Sequence, residues 1–240
     1  MKKIWQTNQK LEMSIIEHLE ELRERLISSI IILFIITVVC ILYTKQIAYI
    51  LQQPATGIKF LQLAPGEYLF ASFKMSISLG VILSSPFSVY QIILFILPGM
   101  TKQEIKYIIP ILVCSVILFF AGIIICFISL LPIALNFLKS YGADIVEPIW
   151  SFDEYFNFVT IILFSTGITF QIPILQILLG ISNICSSNTM LASWKYIIFA
   201  GTIIGAIITP STDPITQIFM ASIIIALYFS GIIVLKLLNK

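Results

Sequence analysis

Residues 26–43 read LISSIIILFIITVVCILY, eighteen residues without a charge, closed by Arg25 on one side and by Lys45 shortly after the other. As an α-helix rising about 1.5 Å per residue, such a run reaches roughly 27 Å, close to the ~30 Å hydrocarbon core of a bilayer. Five more apolar runs follow, at 68–85, 107–137, 155–181, 194–208 and 215–235. Composition agrees. Of the 240 residues, 59% are hydrophobic and 11% are charged, whereas a soluble domain carries about 25% charged residues. An ordinary soluble enzyme, a fibrous chain and a disordered chain are excluded. A net charge of +2 leaves no nucleic-acid footprint. The expected fold is all-α: a polytopic membrane protein of six transmembrane helices, with a short N-terminal amphipathic segment at 1–25 and a tail at 236–240.

An even number of spans puts both termini on one side, and the basic residues say which. Lys2, Lys3, Lys10, Arg23, Arg25, Lys102, Lys106, Lys195, Lys236 and Lys240 fall on one side, and Lys45, Lys59 and Lys139 on the other, with Lys74 inside the second run. That bias assigns both termini to the cytoplasmic or stromal face. The first 25 residues mix basic residues with five glutamates, unlike a cleavable signal or a transit peptide, so the chain is expected to be made on the side where its N-terminus stays. Turn signals punctuate the polar segments. They are Pro54, Gly57, Pro65 and Gly66, then Pro86, Pro98 and Gly99, then Thr209-Pro210-Ser211-Thr212-Asp213-Pro214. Ser84-Ser85-Pro86 is expected to kink or end a helix. The fifth run reaches only about 22 Å, so the bilayer should thin beside it.

The N-terminal segment carries a helical pattern. Ser14 and Glu17 fit a capping box, and Leu11, Ile15, Leu19, Leu22 and Leu26 recur every three or four residues. Glu17, Glu20, Glu21 and Glu24 crowd the other faces. Like charges at i, i+4 cost a few tenths of a kcal/mol each, and Glu21 with Arg25 offsets part of that. The segment reads either as a solvated face or as a carboxylate surface awaiting a cation. Glu104 lies in a loop on the same side, so Glu21 and Glu104 can converge near one membrane surface. Two carboxylates suit two guanidinium groups, each pairing through parallel hydrogen bonds that lysine cannot reproduce. At an effective dielectric of 20, a close pair is worth up to about 4 kcal/mol before desolvation.

Other chemistry is sparse. Cys40, Cys114 and Cys126 sit in apolar runs and Cys185 in a polar one, with no CxxC pair, so they read as packing residues. His18 is the only histidine, so no multi-histidine metal site is available. Phosphate-loop, zincin and nucleophile-elbow motifs are absent, and no cofactor is expected. Gln171 is a lone amide in the fourth run, expected to hydrogen-bond within protein, either as packing glue or against a partner's span. Lys74 is expected to snorkel. Gly201 and Gly205 form a small-xxx-small pair that permits close helix approach.

His18-Leu19-Glu20-Glu21-Leu22-Arg23-Glu24-Arg25-Leu26 resembles the N-terminal signature of the TatC family, the multi-span receptor of the twin-arginine protein translocase. Ser85-Pro86-Phe87-Ser88-Val89-Tyr90-Gln91, then Phe95, Pro98-Gly99 and Glu104, resembles that family's first cytoplasmic-loop block. Phe170-Gln171-Ile172-Pro173 resembles its fourth-span motif, and Thr209-Pro210 through Asp213-Pro214 and Thr216-Gln217 its last outer turn. The four blocks keep the family's order across nearly the whole chain. The resemblance implies a glove-shaped six-helix bundle that binds the twin-arginine signal peptide of folded cargo. By position, Glu21 and Glu104 would hold the two arginines, with Arg23 and Phe95 in the same patch. Gln171 would line a concave intramembrane face. Thr209 and Gln217 would mark the docking site of a single-span TatA/TatB-type partner, and Pro54, Pro86, Tyr90, Pro98 and Asp213 would be structural motif residues. The implied assembly is a homo-oligomer within a hetero-oligomeric complex, driven by the proton gradient without nucleotide.

Many family members carry Glu where this chain has Gln171, which places it nearer the cyanobacterial and plastid branch. Its 51 isoleucines suggest an AT-rich genome. A plastid thylakoid membrane is the expected location, with a bacterial plasma membrane as the alternative. A small secondary transporter or channel is the competing functional reading; it calls for ionisable groups at the midplane or broken helices in matched halves.

Overall fold

The computed structural model describes residues 15–96, 102–141, 147–208 and 214–238. Apart from one short ladder the chain is helical, as a lipid-embedded backbone requires when it has no water to satisfy its N–H and C=O groups. The described part of the N-terminal segment, from residue 15, and the first apolar run form one unbroken helix, α1 (Ile15–Leu42). The short helix α2 (Thr44–Gln52) follows, then the Pro54 turn and strand β1 (Lys59–Leu61). Gly66, at φ +83°, makes the turn into α3 (Glu67–Ile96).

α3 does not end at Pro86. It continues for ten residues beyond it. Pro86 has no N–H for the carbonyl of Ile82, and Ser85 Oγ donates to that carbonyl instead, at 2.7 Å. α1 and α3 pack antiparallel. Arg25 meets Gln91 near one end, Thr37 lies against Gly80 midway, and the Thr44 and Ser76 hydroxyls sit 3.2 Å apart at the other end.

The third apolar segment is α4 (Lys102–Ile125), a π-helical turn at Cys126–Leu130, and α5 (Leu131–Ser140). The wide turn, closed by Leu131 N–H to the Cys126 carbonyl, comes just before Pro132, where the α-helical ladder must lose a donor. Strand β2 (Ile149–Ser151) pairs in parallel with β1, Phe60 opposite Trp150. The sequence reading had no strand here. Glu67 braces this end by accepting from Leu63 N, from Ala64 N at 3.1 Å and from Ser151 Oγ at 2.9 Å. Lys74 pairs with Asp153 at 3.2 Å rather than merely snorkelling.

The fourth segment is broken into α6 (Phe152–Thr169) and α7 (Ile172–Ile181) at Phe170–Gln171, because Pro173 has no N–H for the carbonyl of Thr169. α8 (Ser187–Ala192), α9 (Trp194–Ile208) and α10 (Pro214–Leu237) complete the chain. The fourth segment is the centre of the bundle: 56% of its most apolar window is buried, against 6% for α1 at the periphery. Phe119, Leu130, Leu131, Phe156, Val159 and Ile162 form the core around it. Among the described residues, five stretches are long and apolar enough to cross a membrane: Ile16–Leu42, Glu67–Phe95, Ile108–Ser140, Phe152–Ile181 and Pro214–Leu237. α9 is apolar but has 15 residues, about 22 Å, short of a full hydrocarbon core. It packs on α10 through the glycine pair: a Cβ at Gly201 would sit 3.3 Å from Ile224, and one at Gly205 3.2 Å from the Gln217 carbonyl.

Candidate functional site

His18, Glu21 and Arg25 stand at i, i+3 and i+7 on α1, hence on one helix face, and that face is turned toward the end of α3. Arg25 Nε donates to Glu21 Oε1 at 3.0 Å and its Nη2 to the same oxygen. Its remaining amino group, Nη1, donates to Gln91 Oε1 at 3.1 Å. The His18 ring stacks on Phe95, with centroids 4.2 Å apart and planes 13° from parallel. Glu21 Oε2 is buried without a hydrogen-bond partner, and His18 Nδ1 lies 3.9 Å from it. The Glu21 and Arg25 side chains are 19% and 22% exposed, so their pairing is screened less than that of an open surface pair. The result is a carboxylate with one oxygen satisfied and the other, among the described residues, buried without a hydrogen-bond partner, beside an aromatic pair.

The expected residues divide as follows. Glu21 and Phe95 come together through His18. Arg23 is exposed on α1. Glu104 lies in the first turn of α4, and its side chain is outside the described residues, as are Pro98, Thr209, Asp213 and the Ser14 cap. Pro86 is buried within α3, and Tyr90 packs near Phe87, with ring centroids 6.1 Å apart. Gln171 is well away from Glu21 along the chain and makes a reciprocal pair with α4: Ser115 Oγ donates to its Oε1 at 2.6 Å, and its Nε2 donates to the Ser115 carbonyl at 3.1 Å. That is the packing-glue alternative. Gln217 Nε2 reaches the Thr202 carbonyl at 3.5 Å, spanning α10 and α9.

Arg25 and Gln91 have a part that the sequence reading missed. Arg25 was read only as relief for crowded glutamates, and Gln91 only as the end of a motif block. The available signal was that Gln91 is a polar residue four positions before Phe95, one helical turn away on the same face. Among the described residues, no cluster of three or more His, Cys, Asp or Glu side chains offers a metal site. An open cavity of about 520 Å³, lined by Asn188, Leu191, Ala192, Trp194 and Phe229, contains none of the expected site residues.

Comparison with known proteins gives the same family from three directions. The family described as Sec-independent protein translocase protein (TatC) matches residues 17–222. The chain is 63% identical to a tatC-like protein of Gracilaria tenuistipitata var. liui, over 97% of this chain and 98% of that protein. It is 46% identical to the Sec-independent protein translocase protein TatC of Synechocystis, over 96% and 91% of the two chains. It is 44% identical to the chloroplastic Sec-independent protein translocase protein TATC of Pisum sativum, over 95% of this chain and 65% of that one. The crystal structure of the twin-arginine translocase receptor TatC in DDM matches with a TM-score of 0.81 at 33% identity, covering 91% of this chain and 99% of that one. The apolar helices and the chloroplast and cyanobacterial relatives make this a multi-pass integral membrane protein of the thylakoid or plastid. By sequence and by structure, the chain belongs to the TatC family, a component of the twin-arginine protein translocase and not an enzyme.

Proposed function

We propose that this chain is the receptor subunit of the translocase and binds the twin-arginine signal peptide of folded cargo at the stromal or cytoplasmic face. Glu21 and Glu104 hold the two arginines, and Arg23 and Phe95 belong to the same patch. The observation that carries this reading is the buried, unpartnered oxygen of Glu21, which lies beside the His18–Phe95 stack at the end of α3. Five residues lie between Ile96 and Lys102 at the start of α4, six Cα-to-Cα steps that span at most about 21 Å. That short tether supports Glu104 approaching the same end of the bundle as Glu21. In the rest of the proposal, residues 1–25 are the receptor segment and 26–235 the six-span domain, with both termini on the receptor side. Gln171 faces a concave intramembrane surface, and Thr209 and Gln217 dock a single-span TatA/TatB-type partner. The chain then works as a homo-oligomer within a hetero-oligomeric, proton-gradient-driven complex.

Binding of a labelled Arg-Arg signal peptide to membranes carrying the chain tests the receptor site. Glu21→Ala and Glu104→Ala should each weaken it about tenfold or more, the scale of a lost charge-assisted hydrogen bond, while the variants still insert. Unchanged binding in both would refute the assignment. The broken fourth segment is the one feature that favours a transporter or channel. Solute uptake by vesicles holding this chain alone would support that second reading.

A further inference from the structure

We infer that Arg25 sets how a cation can engage Glu21: it fills one carboxylate oxygen, so the ligand is received through the other oxygen alone, and Glu21 discriminates only weakly between arginine and lysine. The inference rests on the receptor reading of Glu21 given above.

A carboxylate oxygen offers about two acceptor positions. Arg25 Nε and Nη2 both point at Glu21 Oε1 and occupy both. Arg25 is not free to withdraw, because its Nη1 is held by Gln91 across the helix pair. The acceptor left over is Oε2, which among the described residues is buried and has no hydrogen-bond partner. His18, 3.9 Å from Oε2, is held there by its stack on Phe95 and is 42% exposed, so it can swing aside for a ligand. Arginine outbinds lysine at a carboxylate through its fork, two parallel N–H bonds to the two oxygens. With Oε1 filled, that fork cannot close on Glu21. What remains is a contact to the one oxygen Oε2, where a guanidinium loses the two-oxygen fork that is its main advantage over an ammonium. The charge of Arg25 also opposes the incoming cation, whichever residue brings it. Arg25 and Gln91 are thus positioning residues: they restrict which atoms of Glu21 a ligand can use.

The test uses the full chain in membranes and signal peptides carrying Arg-Arg, Lys-Arg, Arg-Lys or Lys-Lys, with affinity measured for each. In the unaltered protein, one of the two single-lysine peptides should bind within about threefold of Arg-Arg. In Arg25→Met, which keeps a helix-forming apolar stem and frees Oε1, the same peptide should fall about tenfold or more behind Arg-Arg, because the fork now forms. Gln91→Leu, which only unties Arg25, should give a smaller rise in that ratio. Arg25→Lys keeps the charge balance of α1 and covers the case in which Arg25→Met fails to insert; it should also raise the ratio, since an ammonium makes a single bond to Oε1. An unchanged ratio in the Arg25 variants overturns the inference, including the case in which all four peptides weaken together through a general loss of structure. So does strong rejection of both single-lysine peptides by the unaltered protein. Glu21→Gln separates the two levels: if it leaves every affinity unchanged, the receptor role of Glu21 itself fails, whatever the ratios do.

Discussion

Gln171 and Ser115 bond each other in both senses, the amide accepting from the hydroxyl and donating to the backbone carbonyl. That arrangement requires a group that both donates and accepts, which a neutral amide does and an ionised carboxylate does not. It gives a physical reason for a neutral amide at this position: the pairing needs no charge. Gln171→Leu should lower stability by about 1–2 kcal/mol, the range for interhelical hydrogen bonds in membranes, and a double-mutant cycle with Ser115→Ala should recover most of that as coupling. Thermal unfolding in detergent measures both. Gln171→Glu should be tolerated only with the acid protonated. The variant's stability should therefore hold while the acid is protonated and fall as rising pH ionises it. Melting temperatures that do not depend on pH in this variant would contradict the pairing. The lone amide was legible in the sequence as something needing a partner. Its partner was not, because Ser115 is one of many small polar residues that can equally bond their own helix.

Two contacts between helices, Gly201 and Gly205 against α10 and Lys74 with Asp153, tie elements of the bundle together. α9 lies close on α10 because Gly201 and Gly205 present no side chain there. Gly205→Val would push against the Gln217 carbonyl and the Ala221 backbone and should destabilise the helix pair by about 1–3 kcal/mol, the usual cost of overpacking. Faster proteolysis in the connection between the two helices would report it, and native-like resistance would count against the close packing. Lys74 and Asp153 join α3 to α6, with side chains 51% and 33% exposed, so the pair should be worth less than about 1 kcal/mol. Reversing either charge alone should lower the melting temperature slightly, and exchanging the two should restore it; a double exchange no better than the singles would discount the pair. The glycine spacing could be read in advance because its consequence is local. Pro86 could not, because what keeps α3 whole is a neighbouring hydroxyl, Ser85, taking over the carbonyl of Ile82. The β1–β2 ladder was hidden for a related reason: its strands have three residues each and lie about ninety positions apart, with too little periodicity to register.

Over the whole molecule, the apolar runs made the helical membrane architecture plain, since lipid leaves a backbone few choices. Glu21 and Phe95 come together in the sequence only through the family resemblance; in the structure one lies near the start of α1 and the other near the end of α3, on either side of His18. The Arg25–Gln91 bridge between them depends on rotamers and on helix register, which no single sequence specifies. The central claim concerns two acids from distant parts of the chain acting on one cationic ligand. It is tested most directly by placing a photo-reactive residue at position 21 or 104 and adding an Arg-Arg or a Lys-Lys signal peptide. Both positions should cross-link to the same short stretch of the Arg-Arg peptide, around its paired arginines, and only weakly to the Lys-Lys peptide. Cross-links from the two positions to unrelated stretches, or equal labelling of both peptides from both positions, would contradict it.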